Sequence, residues 1–224
     1  HLLSLHENLY AQMQVQNLDL HVNQVGQQVI TDVSSASREN QAALALQYTR
    51  SKSEARRVER LMGLPAEANN AAKQVRRHPT IELRLTPDAF SIELIISPDA
   101  WWDQQNLLGK LTVQRHREAF YRMLRHLDPR FCQGFWQGTH LSDMHITSTA
   151  GHNNHILREW FNTFAPRQDY FRLGIWYDTD DKLLQDDAIH AETLKQVKAL
   201  YGFYRFLLWT SDNNFRDFAP PTRA

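Results

Sequence analysis

Two runs of strict alternation separated by one tight turn constrain this chain more than anything else in it. Residues 80–86 place Ile81, Leu83 and Leu85 against Glu82, Arg84 and Thr86. Residues 90–96 place Phe90, Ile92, Leu94 and Ile96 against Ser91, Glu93 and Ile95. A period of two is the signature of a half-buried strand. Between the runs, Thr86-Pro87-Asp88-Ala89 has proline where a turn wants φ near −65°. Closing that turn sets Leu85 opposite Phe90, Leu83 opposite Ile92 and Ile81 opposite Leu94. A slip of one residue would send half of the apolar set to the wrong side, so the pairing is strongly specified.

The same register has a second consequence. Glu82 falls opposite Glu93 on the other face, with Arg84 diagonal to Glu93. Like charges at that range are unfavourable in a strand pair. Compensation is expected from Arg84, another cation, a metal or, on a solvated face, water; the solvated face is the expectation. After the hairpin, Ser97-Pro98-Asp99 reads as a helix start with serine as N-cap. The helix then opens with Trp101 and Trp102.

Further elements follow from periodicity and punctuation. Leu2, Leu5, Leu9 and Met13 mark an amphipathic helix. Residues 28–33 and 43–49 are β-prone. Ser51-Lys52-Ser53-Glu54 has capping-box spacing ahead of a helix that stops at Gly63. Residues 65–79 lack periodicity and form a loop, the one internal position where a boundary is conceivable. Past a break at Gly109, a second helix runs to about residue 127. Strands are expected at 131–136 and 170–177, with 139–147 part strand and part loop. A helix at 154–164 and a long one at 186–209 complete the chain, and 216–224 is a frayed tail. The whole, 1–224, is expected to be a single α+β domain with a mostly antiparallel sheet of five to seven strands and helices packed on one face.

Composition narrows the function classes. With 25 Lys+Arg against 25 Asp+Glu the formal net charge is zero, which argues against a broad basic footprint for nucleic acid. Nucleic acid and membrane are therefore set aside as partners. Cys132 is the one cysteine, so no intrachain disulfide can form, which fits a cytoplasmic setting. No apolar run approaches the roughly 20 residues that a transmembrane helix needs, and no charged-then-apolar leader opens the chain. The chain begins at His1 and not at Met, which leaves room for residues upstream. Glycine-rich phosphate loops, GxSxG, HExxH and paired CxxC are all missing, and no cofactor is named by any motif.

Two constellations carry candidate chemistry besides the Glu82/Glu93 pair. Trp101, Trp102, Asp103, Gln105 and Asn106 combine flat rings with directional polar groups. Adjacent helical residues turn by about 100°, so both tryptophans cannot point straight into one core. His140, Asp143, His145 and His155 form a weak candidate metal set, with His152 nearby, although a five-residue spacing would point His140 and His145 to opposite faces of a regular strand. The preferred expectation is a non-catalytic module that binds a protein partner or small ligand through the Trp/amide set. The alternative is a metal-assisted hydrolase or nuclease built on the histidine/aspartate cluster, with Glu82 and Glu93.

Overall fold

In the computed structural model, eight strands among the described residues form one antiparallel sheet whose middle is the hairpin. Residues 1–24, 27–39, 42–64, 75–150, 154–185 and 187–217 are described. In chain order the elements are α1 (Leu2–Val15), β1 (His21–Val22), β2 (Ile30–Thr31), β3 (Leu44–Thr49) and α2 (Lys52–Leu61), then β4 (Thr80–Leu85) and β5 (Ala89–Ile96). They continue with α3 (Trp101–Thr112), α4 (Gln114–Arg125), β6 (Cys132–Gly134), β7 (Ile146–Thr147), α5 (Asn154–Phe161), β8 (Phe171–Asp178) and α6 (Ala188–Leu207). The strand order is β1-β3-β4-β5-β8-β6-β7, with β2 also paired to β3. The α+β class holds, and the extra strand beyond the expected count is the two-residue β1.

The hairpin register is the one its apolar alternation demands. Leu85 pairs with Phe90, Leu83 with Ile92 and Ile81 with Leu94. The turn closes through Thr86 N–H to Ala89 O at 2.9 Å, and the Thr86 hydroxyl accepts from Ala89 N–H at 3.1 Å. Ile81, Leu83, Phe90, Ile92, Leu94 and Ile96 are all buried in the main core. Each is worth roughly 1.5–3 kcal/mol against exposure, so a slipped register has no means of competing. Leu85 differs from expectation: it is 39% exposed and pairs with Leu44, which is 47% exposed, at the end of the strands.

Helices cover one face. α6 lies on β4, β5 and β8, with α1, α3 and α4 against it. It contributes Val197, Leu200, Phe203, Tyr204 and Leu207 to the core, while α1 contributes Leu5, Leu9 and Met13. α2 begins as its sequence predicts: Ser51 caps it by accepting from Glu54 N–H at 3.3 Å. β3 and β4, on either side of the 65–79 stretch, pair directly. Of that stretch, residues 65–74 lie outside the described residues, as does most of the tail. Among the described residues no helix is long and apolar enough to cross a membrane.

The two ends of α3 differ from the sequence expectation. The helix after the hairpin starts at Trp101 and not at Ser97, because the Ser97 hydroxyl donates to Arg76 O and accepts from Asp99 N–H in a turn ahead of the helix. The break between α3 and α4 falls at Val113, which is extended at φ −87 and ψ 118. Gly109 stays helical, and its missing Cβ makes room for Phe215: a Cβ there would lie 2.3 Å from the ring.

The core register is tested by a pair of substitutions. Ile92→Ala is expected to cost about 2–5 kcal/mol of unfolding free energy. Leu85→Ala should cost under about 1 kcal/mol, since its side chain is already partly in water. Urea denaturation of both variants distinguishes this register from any other; equal losses would contradict it.

Candidate functional site

On the face away from the main core, strand pairing lines up Gln47, Glu82, Glu93 and Gly174 across β3, β4, β5 and β8. The opposition of Glu82 and Glu93 is as the hairpin alternation predicts. The expectation of a solvated face is overturned, because Glu82, Arg84, Glu93 and Arg172 are all 0% exposed. Water is replaced by protein donors. Arg84 bridges both carboxylates, giving Nη1 to Glu82 at 2.7 Å and Nη2 to Glu93. Arg172 donates Nε to the second Glu93 oxygen at 2.9 Å, with Nη2 on the same oxygen, and Nη1 to Gly138 O at 2.5 Å. Glu82 also receives the hydroxyls of Ser34 and Ser35, each at 2.5 Å, the Ser35 N–H at 2.7 Å and the Gln47 amide at 3.0 Å.

The network is neutral, with two carboxylates and two guanidinium groups. Its space comes from Gly174, where a Cβ would meet Glu93 Cγ at 2.5 Å. Its lid is made of two loops joined by Gly138 N–H to Ala36 O at 2.9 Å, with Ala36, Ile95 and Tyr170 packed beside them. Trp136 stacks on the Arg172 guanidinium, 4.5 Å from ring centroid to charge, and Trp176 lies further off at 5.9 Å. Burial alone would push the Glu82 carboxyl up, but the Arg84 charge and the serine bonds outweigh it and hold it below the usual carboxylate value. Burial similarly opposes the charge on Arg84, yet Glu93 and Glu82 raise its affinity for the proton. For Arg172, burial prevails over Glu93, and the guanidinium is held below its ordinary value. Both carboxylates are thus buried and spend their hydrogen-bonding capacity on protein donors. Arg172, Gln47 and the two serines complete this network; Gln47 and Arg172 are polar positions of alternating strands, while the serines left no such trace.

The Trp/amide set divides between two directions. Trp101 and Trp102 are half-buried at the surface. Their rings meet edge-on at 5.6 Å, and Trp102 meets Trp209 at 4.4 Å. The Arg167 guanidinium lies over Trp101 at 5.2 Å. Asp103 and Asn106 turn inward and are 0% exposed. Asp103 accepts from Arg50 Nη2 and from Trp209 N–H, both at 2.7 Å. Burial raises its carboxyl despite the Arg50 charge. The Asn106 amide donates to Leu207 O at 3.0 Å and Asn213 O at 2.9 Å. Gln104, of the same polar run, ties Ser97 O, Asp169 O and Arg167 N–H together at 2.8–3.0 Å. Gln105 stays half-buried beside the tryptophans. The helix thus uses its polar residues as anchors and presents its rings.

The histidine set is dispersed. His140 and Asp143 are exposed in the loop before β7, and the Trp136 indole N–H donates to His140 O at 2.9 Å. The His145 ring bonds to Ser142 O at 2.7 Å. His155 sits on α5 beside a cleft with α4. His152 lies outside the described residues. Among the described residues no three His, Cys, Asp or Glu side chains are placed to hold a metal ion. The loop has too little regular strand to aim these side chains at a common point. Cys132 is a buried free thiol, which burial pushes above its ordinary value.

Comparison with known proteins finds no family model that matches this chain and no curated protein similar to it.

Two measurements probe the buried network. Glu93→Ala, which strands the Arg172 guanidinium in the interior and leaves Arg84 with Glu82 alone, is expected to cost about 3–5 kcal/mol. Glu82 has a depressed folded-state pKa, so its stabilisation is present above the unfolded-state value and is lost as pH falls through the folded-state one. Denaturation curves taken from neutral pH downward should therefore show stability falling below the ordinary carboxylate range of about 4, and less steeply in Glu82→Gln. A parallel acid dependence in the two proteins would contradict the assignment.

Proposed function

We propose that this chain is a non-catalytic, cytoplasmic binding module, a single domain over 1–224, which holds a protein partner or small ligand against Trp101, Trp102 and Trp209. The observation that carries the reading is the rigid presentation of three touching, half-buried indoles over a buried anchor. Asp103 binds both Arg50 and the backbone of Trp209, so the two segments that supply the rings are tied to one carboxylate. Rings held in place beforehand lose little conformational freedom on binding, and Gln105 lies alongside to give direction. The engagement of Glu82 and Glu93 by protein donors supports binding over hydrolysis, because an activated water needs an unoccupied base. The lone buried thiol of Cys132 supports the compartment.

Trp102→Ala tests the proposal. The expected outcome is loss of a partner that wild-type protein retains in affinity capture, verified by direct titration of that partner, with an unfolding free energy within about 1 kcal/mol of wild type. A loss of about 3–5 kcal/mol, the range for a buried tryptophan, would make Trp102 a core residue and remove the proposal.

A further inference from the structure

The chain's zero net charge conceals a local imbalance. From residue 110 to 130 there are Lys110, Arg115, Arg117, Arg122, Arg125 and Arg130 against Glu118 and Asp128. Lys110 is buried and donates to Phe206 O at 2.7 Å, and Arg130 is committed to Asp128 and Glu192. α4 itself carries an arginine face, in which Arg117 donates to Leu111 O at 2.9 Å and Arg115 to the His116 ring at 3.4 Å. Arg115, Arg122 and Arg125 are exposed. At 3.6 residues per turn, Arg115 and Arg122 lie in one line, with Arg125 on the flank toward α5. Among the described residues, Arg122 and Arg125 have no carboxylate partner.

α5 extends this face. Between α4 and α5 lies a cleft of about 300 Å³ lined by Gln114, Arg117, Tyr121, His155 and Arg158 among others. The charges of Arg117 and Arg158 both bear on the Tyr121 phenol, drawing its proton affinity down against the larger, raising effect of burial. Two guanidinium groups, of Arg117 and Arg158, thus line one cleft together with the Glu118 carboxylate. The acids nearby are partly engaged: Glu118 accepts from Gln114 at 2.8 Å, and Glu159 lies 4.0 Å from Arg158.

We infer that the α4–α5 face binds the phosphodiester backbone of a nucleic acid, with Arg158 and Arg117 taking a phosphate in the cleft and Arg115, Arg122 and Arg125 taking its neighbours along the helix. Ten residues of helix separate Arg115 from Arg125, about 15 Å, which spans roughly four phosphates at 3.4 Å per nucleotide of a stacked strand. A single small anion cannot engage cations so far apart; a polymer can. The cations of α4's exposed face are all guanidinium groups, whose fork matches phosphate oxygens two at a time. None of the exposed large apolar residues lies on α4, and α5 carries one, Ile156. A protein partner would need such anchors, because interface energy concentrates in buried aromatic and aliphatic contacts. The tertiary fold therefore revises the expectation drawn from net charge alone, since it places on one face arginines that the sequence spreads over two helices.

Fluorescence anisotropy of the full chain with a labelled mixed-sequence strand of about 20 nucleotides, single and annealed to its complement, tests this. Binding to either supports the assignment, and the preferred form identifies the source of the phosphates. With four phosphates neutralised, affinity for the single strand should fall roughly 50-fold between about 50 and 200 mM salt. Arg122→Glu with Arg125→Glu should weaken binding at least about tenfold while the melting curve stays unchanged, since both side chains are in solvent. If that variant fails to fold, Arg158→Gln, which should reduce the salt slope by about 0.7, replaces it. Trp102→Ala should bind the strand normally, which separates this face from the tryptophan surface. Absence of binding to both forms at low salt, or unaltered binding by the arginine variants, would overturn the inference. So would equal competition by polyglutamate, which would assign the face to an acidic protein.

Discussion

Everything on the far side of the sheet depends on one guanidinium. Arg84 stands between two carboxylates that strand pairing forces into opposition, and it donates to both. Without it, the apolar register that builds the core would carry a buried like-charge repulsion as its unavoidable by-product. Taking four charges out of water is costly, and their mutual attraction offsets this only when nearly every lone pair finds a donor. That requirement recruits distant segments: the Ser34–Ser35 turn, Gln47 on β3 and Arg172 on β8. The network makes the sheet's second face closed and specific in its pairing, at no evident gain in apolar burial.

The same logic operates at α3 on a smaller scale. Asp103, Gln104 and Asn106 satisfy backbone groups from the chain's last segment and from the loop ahead of β8. These polar residues sit in the interior because each carries groups that free backbone ends need. Their inward direction leaves the adjacent tryptophans at the surface. Ring presentation and structural anchoring are therefore two faces of one helix, and the proposed binding surface inherits its rigidity from the buried amides.

How much of this was legible varies with the range of the interaction. The Glu82–Glu93 opposition could be read from fifteen or so residues, because a hairpin register is a local property set by alternation and a turn. Whether that face met water or protein could not, since Ser34, Ser35 and Arg172 come from segments remote in the chain. Cap chemistry was legible at Ser51, whose hydroxyl bonds only within its own turn, to Ser53 and Glu54, but not at Ser97, whose hydroxyl donates to the remote Arg76 O. Gly109 looked like a helix break because glycine is a poor helix former. The structure keeps it helical and sets the Phe215 ring in the space its missing Cβ leaves. The histidine run gave a compositional signal without geometry, and the loop that holds it does not bring the rings together.

By itself, the sequence determined the α+β class, the central hairpin and its pairing, and the impossibility of an intrachain disulfide. These rest on periodicity, turn chemistry and composition, which act within a few residues or on the chain as a whole. The tertiary structure alone decided that the carboxylate face is sealed, that Asp103 and Asn106 point inward while Trp101 and Trp102 do not, and that arginines of two helices share a cleft. Each of those depends on which distant segment arrives beside a given side chain, and burial, charge compensation and surface potential are properties of that meeting.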